Sequence, residues 1–444
     1  MKKDVKIAVI GAGLAGLAAA YRLMQYGLEV DVFEAKNRAG GRVFTVLMEN
    51  YLGDIAEVEL GAQNITDGGE SAYLLNLAKE LNLNIQQKII DTNHLVYSGS
   101  DKADYAQLLA NHHSTAADIK KLVDKANNIG QLIELFCEDN RLLQQALFSR
   151  MMAYEGLNPY EQSIYHNIET FECAISGGVA KVHEFYEHKH DQVVTSFIKG
   201  GNARLPMEIA KRLEGKIHYN KALSKIAING SCTILTFVDQ SVYEYDHVIL
   251  AIPVATFNNI DFSEAKIEKN QLRKIESIGY GSNYKIALPL DLKQKNNISS
   301  IIKDNMLSFY NNDETIQLLY VNDKVQNVQD FINVLSPSNN HSMGPIMQVA
   351  DQNYKIYKQN ICCDWKKDRY FKGSYAGYSV SISEELDKIE YHLETPYKAL
   401  FTPISNMLFF AGEHTTILEC IGTMEAAVES GERMAKAIIK LTAN

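Results

Sequence analysis

The chain has 444 residues, 46% of them hydrophobic and 22% charged, and carries a formal net charge of −10 at pH 7. That length can bury a large core and predicts two or three domains, while the acidic balance, without any long Lys/Arg run, excludes nucleic-acid binding through a general positive field. No apolar run is long enough to cross a bilayer as a helix.

The first element is a short buried strand, Lys6 to Ile10, and Gly11, Gly13 and Gly16 follow it with G-x-G-x-x-G spacing. That spacing lets the chain turn sharply, approach a pyrophosphate closely and pack helix on strand. Leu14, Leu17, Ala18 and Tyr21 recur at helical spacing, so a helix opens here, with Ala15 in its first turn and its N–H groups and positive dipole end aimed at phosphate. Lys2, Lys3 and Asp4 directly precede this strand, which argues against a signal peptide. Gly27 is a plausible stop, and Glu29 to Glu34 reads as a second strand ending in a carboxylate. Glu34 lies about twenty residues after the glycines, where it can accept hydrogen bonds from a ribose hydroxyl. This much fits NAD and FAD alike.

Ala35, Arg38, Gly40, Gly41, Arg42 and Thr45 come next. The two glycines let the backbone pass beside a ligand, and the planar donors Arg38 and Arg42 suit phosphate oxygens. This R-x-G-G-R-x-x-T pattern resembles the second signature of the flavin-containing amine oxidases, and the resemblance implies FAD. Gly61 and Ala62, within Ala56 to Asn64, resemble that family's segment beside the flavin, where small residues leave space for a flat ring.

From roughly Ser71 to Val194 the character changes, with helical periodicity over 72–81, 117–129 and 131–152. We read a helical insertion that forms part of a substrate domain. His112, His113, His188 and His190 have no Cys or carboxylate partner at ligand spacing, so no metal site is expected. The six cysteines (Cys137, Cys173, Cys232, Cys362, Cys363, Cys420) show no C-x-x-C spacing and read as reduced, which makes the cytoplasm the default location.

The stretch Gly200 to Pro206, a helix over 207–213, strands over 217–220, 222–228, 232–237 and 243–245, and the apolar run from His247 to Pro253 resemble the family's second nucleotide-side segment. Gly281 to Ala287 resembles the strand that carries a lysine near flavin N5, which implies a catalytic role for Lys285. Trp365 to Tyr375 resembles the segment at the flavin's benzenoid edge. Some relatives carry there a Cys that binds flavin covalently; this chain has Ser374, so non-covalent FAD is expected, with Tyr375 as an aromatic wall that orients substrate. Met407 to Thr415 is an apolar strand ending in Gly412 and Glu413, and a helix follows Gly422 and Thr423. Glu413 is placed to bind a ribityl hydroxyl, and the N–H groups at Thr423 and Met424 to meet the N1/C2 edge of the isoalloxazine. The family has a second aromatic residue where Thr423 stands, and the loop holding Glu419 and Cys420 is longer, which leaves a simple arylalkylamine substrate in doubt.

These readings predict an α/β protein. Its Rossmann-like FAD-binding domain, of glutathione-reductase type, is assembled from 1–70, 195–262 and 396–444, and a discontinuous α+β substrate domain from 71–194 and 263–395. The implied activity is oxidation of an amine by hydride transfer from the α-carbon to flavin N5, giving an imine and, with molecular oxygen as acceptor, hydrogen peroxide. The alternatives are an L-amino-acid oxidase using Arg141, Arg150, Arg273 or Arg369 for the carboxylate, a desaturase or porphyrinogen-type oxidase, and a non-catalytic flavoprotein. The sequence gives no indication of the oligomeric state.

Overall fold

The computed structural model describes residues 5–65, 72–90, 94–98, 101–112, 116–175, 193–289, 300–303, 306–310, 315–322, 328–335, 345–349, 352–382, 400–418 and 421–443. His113, His188, His190, Glu419 and Cys420 lie outside these residues. The elements that position the site are, in chain order, β1 (Lys6–Ile10), α1 (Leu14–Gln25), β2 (Glu29–Phe33), β3 (Thr45–Glu49), β4 (Ile55–Glu59), α2 (Ala72–Glu80), α3 (Arg141–Glu155), β5 (Ile217–His218), β6 (His247–Leu250), β7 (Asn283–Leu288), β8 (Gln317–Asn322), β9 (Ile361–Cys363), β10 (Leu408–Phe410) and α4 (Met424–Ala443).

A parallel sheet of order β10-β6-β1-β2-β5 forms the nucleotide half. Its central strand is fully apolar from Ile7 to Ile10 and buried on both faces, as a parallel strand covered from two sides must be. The chain order runs outward in both directions from β1, so the carboxyl end of β1 is the topological switch point where ligand crevices open.

One face carries α1 and α4, packed so closely that a Cβ at Gly431 would fall 2.2 Å from the Ala15 carbonyl oxygen. The sequence reading groups α2 with the insertion; in the structure its Leu74, Leu77 and Ala78 join the core beneath α1 and α4. The Glu425 carboxylate fixes it there, accepting from the N–H groups of Tyr73 (2.8 Å) and Leu74 (2.7 Å) at its amino end, where a negative charge is favoured. The other face of the sheet packs through Phe33, Val248 and Phe410 on Phe237, Phe257 and Phe262. Phe237 belongs to a smaller sheet of strands 223–229, 232–237, 242–245 and 261–264.

β7, β8 and β9 lie together in an eight-stranded sheet, with β7 antiparallel to both neighbours. Helices of the 116–175 region cover its far end, around Val96, Tyr105 and Ile302. The expected helices 117–129 and 131–152 are observed instead as Ala116–Val123, Ile129–Cys137 and α3. The breaks are local chemistry: Asn128 caps Gln131 N at 2.9 Å, Glu138 turns at φ +49°, and Asn140 caps Leu143 N at 3.1 Å. No helix of the described residues is long and apolar enough to cross a membrane. Among those residues no group of three or more His, Cys, Asp or Glu side chains is arranged to hold a metal ion.

Candidate active site

The glycines after β1 divide into two jobs. Gly11, at φ +104°, donates to Phe33 O at 2.7 Å, and a Cβ there would lie 2.6 Å from Ala251 O; a Cβ at Gly16 would lie 2.0 Å from Gly11 O. Both therefore serve the close packing of β1, α1 and β6. Gly13 differs: a Cβ there would meet nothing within 4 Å. It faces open space beside the second glycine loop, which it touches through a bridge to Gly40, while Gly40 N donates to Ala12 O at 2.8 Å. A Cβ on Gly41 would come within 3.1 Å of Gly13 Cα. Ala15 is buried, its carbonyl turned to Gly431.

Glu34 closes this end. Its carboxylate accepts from Ala12 N (2.7 Å) and, past the partly buried Ala35, from Lys36 N (2.8 Å). Burial raises its pKa, against those two N–H groups and Arg38. The Arg38 guanidinium sits 4.5 Å from the centroid of the Phe44 ring. Trp365 meets the edge of the same ring and that of Phe371, so its indole is enclosed in a hydrophobic core.

The middle of the crevice is a buried polar cluster, two members of which the sequence reading did not single out. Arg42 Nη2 pairs with Glu413 Oε1 at 2.8 Å, and Glu413 Oε1 also accepts from Ala376 N at 3.2 Å. Tyr280 lies under the Arg42 guanidinium, accepts from Val254 N at 3.1 Å and stands 3.4 Å from His414 Nδ1. Burial pushes His414 down to about 4, so its imidazole is neutral at pH 7. Arg42 Nη1 and Glu413 Oε2 are buried and have no protein partner. Buried polar atoms of this kind cost free energy until something meets them. Gly412, at φ +136°, makes room for the His414 ring and anchors through its N–H to Ser430 Oγ at 3.0 Å.

Lys285 is fully enclosed on β7. Its ammonium donates to Glu59 O (3.0 Å), Gly61 O (2.7 Å) and Gln63 Oε1 (2.9 Å), and lies 4.9 Å from the centroid of the Tyr320 ring on β8. The Glu59 carboxylate reaches the other way, accepting from Thr45 Oγ1 (2.9 Å) and Asn202 N (2.6 Å). Burial lowers the Lys285 pKa and raises that of Glu59; each charge partly offsets the other's desolvation. Gly61 is small for a reason other than the one expected: a Cβ there would strike Arg42 O at 2.0 Å. The adjoining Ala62 donates its N–H to that same carbonyl at 3.1 Å.

Tyr375 lies on Gly422, where a Cβ would be 2.3 Å from its ring, directly before the amino end of α4. Thr423 caps that helix, its hydroxyl accepting from Ala426 N at 3.0 Å, and Met424 is buried behind it. Burial, then Glu155, Tyr320, Tyr154 and Glu413, hold the Tyr375 phenol well above its ordinary pKa. The crevice wall here is aromatic and acidic. Of the four arginines singled out in the sequence, Arg141, Arg273 and Arg369 are exposed. Arg150 is buried between Tyr105 and Tyr154 and donates to the Tyr154 hydroxyl at 2.9 Å.

Comparison with known proteins bears on what this crevice does. The profile described as flavin containing amine oxidoreductase matches residues 14–439. Lysine-specific histone demethylase 1 homolog 2 of Arabidopsis thaliana is 26% identical over 98% of this chain and 58% of its own length. Protein FLOWERING LOCUS D of the same plant is 26% identical over 97% of this chain and 54% of its own. The chain thus spans about half the length of these curated relatives. Among solved structures, putrescine oxidase bound to putrescine superimposes with a TM-score of 0.72 at 16% identity, covering 98% of this chain and 99% of that one. Cyclohexylamine oxidase from Brevibacterium oxydans IH-35A gives 0.72 at 19% identity over the whole of both chains.

Proposed function

Since the chain belongs to the flavin-containing amine oxidoreductase family, we propose that it is an FAD-dependent amine oxidase acting at the crevice between Gly13 and Tyr375. The donor set fits an extended, non-covalent FAD. Open space at Gly13 beside Gly40 suits a pyrophosphate, Glu34 suits a ribose diol, and the unpartnered Arg42 Nη1 and Glu413 Oε2 suit a phosphate oxygen and a ribityl hydroxyl. Bound there, FAD would supply the two-electron acceptor for a C–H bond next to nitrogen.

The observation that carries the amine reading is the wall around Tyr375. An amino acid requires a fixed cation for its carboxylate, and of the four arginines singled out in the sequence three are exposed while Arg150 is held between Tyr105 and Tyr154. Such a wall favours a cationic ligand and opposes a carboxylate. Tyr375, held as a neutral phenol, orients the substrate; Lys285 fixes the Gly61 carbonyl through a buried amine whose pKa burial lowers toward neutrality, so that it can hold or release a proton at that atom. Overall, the amine loses two electrons and two protons, water hydrolyses the imine to a carbonyl compound and either ammonia, from a primary amine, or a smaller amine, and oxygen takes up the two electrons and two protons to become hydrogen peroxide. A methylated lysine is a second substrate reading, favoured by relatives named histone demethylases.

The test is the visible spectrum of FAD-loaded protein mixed without oxygen with pooled amines, then with pooled amino acids. Bleaching by the amines alone is expected. Bleaching by amino acids alone, or by dithionite but neither pool, overturns the reading.

A further inference from the structure

Lys36 crosses between the two ends of the crevice. Its backbone belongs to the nucleotide end: in the loop after β2, Lys36 N donates to the Glu34 carboxylate, and Lys36 O accepts from Asn220 N at 3.0 Å. Its side chain leaves that end. The ammonium pairs with Asp368 Oδ2 and lies 5.5 Å from the centroid of the Phe371 ring. Each side chain of the pair is only 11% exposed, so solvent screens the pair weakly, and removing one charge strands the other.

Asp368 is the corner of the turn that ends in Tyr375. Its Oδ1 accepts from Tyr370 N at 2.9 Å, and its carbonyl accepts from Phe371 N (3.1 Å) and Lys372 N (2.9 Å). Gly373 N then donates to Trp365 O (3.2 Å) and Ser374 N to Gly281 O (2.9 Å), while Gly281 N donates to Tyr375 O (2.8 Å). A Cβ on Gly373 would lie 2.8 Å from Gly281 O, so the turn sits directly on the chain leading into β7. That strand is itself fastened to α3, where Asn283 donates through Nδ2 to Met152 O (2.7 Å) and Ala153 O (3.3 Å). A continuous series of contacts thus runs from the Glu34 carboxylate through Lys36 and Asp368 to Tyr375.

The Glu34 loop is the part of this series that a nucleotide would grip. A ligand whose ribose meets Glu34 binds best when residues 34–38 are in place, and it populates the state that it binds best. Because Lys36 ties the turn to that loop, the same ligand favours the seated turn, and by reciprocity the seated turn favours the ligand. Resting on the FAD reading, we propose that Lys36 is a positioning residue: acting through Asp368, it makes the placement of Tyr375 depend on a nucleotide at Glu34.

Trp365 is the chain's single tryptophan and meets the Phe371 ring edge-on at 5.1 Å, so its fluorescence reports on this turn. ADP is the probe, because it carries the ribose and phosphates without the flavin ring, which would itself quench the indole. In the flavin-free full chain, saturating ADP should lower acrylamide quenching of Trp365 at least about twofold. Lys36→Met, which keeps the aliphatic stem, and Asp368→Asn should each abolish that protection and weaken ADP about tenfold by calorimetry. The double variant should be no weaker than either single one, and Lys36→Arg should restore both readouts. ADP that binds the parent without changing the quenching overturns the proposal, as does protection that survives in either single variant. A Lys36→Arg protein that behaves like Lys36→Met overturns it too, since the charge then carries nothing. If FAD binds and ADP does not, the nucleotide end has no grip of its own and the proposal falls. Failure of the FAD reading looks different: neither FAD nor ADP binds, and the proposal falls with it.

Discussion

At the Glu34 end of the site the chain presents backbone, and at the Tyr375 end it presents side chains. Gly11, Gly13, Gly16, Gly40 and Gly41 shape the first end by having no side chain, and at Gly13 an added Cβ would meet nothing within 4 Å. The second end is a set of side chains from separate elements: Tyr154 and Glu155 from α3, Lys285 from β7, Tyr320 from β8, and Tyr375 from the loop that lies on Gly422. The difference sets what each end tolerates. An added methyl group is intolerable at most glycines of the first, where backbone opposes it; at the second, the effect of a change depends on the charge or hydrogen bond removed.

The largest effect is expected at Gly16. A methyl group there meets the Gly11 backbone oxygen at 2.0 Å, with Val9 Cγ1 (3.1 Å) and Ala251 Cβ (3.2 Å) close by, so Gly16→Ala should cost about 3 kcal/mol or more. Thermal denaturation of the flavin-free protein measures it, and a melting temperature within about 2 °C of the parent would show that the helix–strand approach does not fix this loop.

Where the two ends meet, the Glu59–Lys285 pair should impose a pH signature. Glu59 rises from 4.5 to about 7 in the folded chain, so over that window the folded state holds a proton that the unfolded state lacks, and stability falls as pH rises. Lys285 falls from 10.5 to about 7, so above 7 the unfolded state holds the extra proton, and stability climbs again as pH rises. Denaturant midpoints measured across pH should dip near neutrality. Glu59→Gln should remove the acid-side limb and leave the alkaline one; an unchanged acid-side limb would mean that another group produces it.

At the side-chain end, Asn283→Ala releases the α3 carbonyls and should cost about 2 kcal/mol, raising KM for an amine without lowering flavin content. Loss of flavin in that variant would break the division between the two ends. Gly13→Ala sharpens it from the other side. Because nothing lies within 4 Å of the new methyl group, the flavin-free protein should melt like the parent, while titration with FAD should show affinity about tenfold lower. The smallest effect belongs to Thr423→Ala, which removes the cap of α4 at a cost of about 1 kcal/mol, read from the melting temperature.

The same division explains what was legible beforehand. The glycine spacing, Glu34 and the Arg42 loop were readable because each acts through local backbone geometry, and local geometry leaves its mark in consecutive residues. Family resemblance brought Lys285, Tyr375 and Glu413 into view. Tyr280, His414, Asn283 and Glu155 left no such mark. Each is an ordinary residue until the sheets bring it against partners more than a hundred residues away, as Tyr280 against His414 and Asn283 against Met152. Gly61 was noticed, with its smallness assigned to a ring; the structure fills that space with Arg42 O. The helix break at Glu138 to Asn140 did have a signal, an Asn just before a new apolar period, which a continuous reading of 131–152 passed over.

The seat of Gly431 on Ala15 has a consequence for the order in which the molecule comes into being. α1 leaves the ribosome well before α4, yet a residue of one leaves no space for a single methyl group on the other. β1 likewise waits for β6, and β6 for β10. The nucleotide half therefore holds its first strand unpartnered on one side until residues 247–250 have been made, and contacts of such long sequence separation make folding slow.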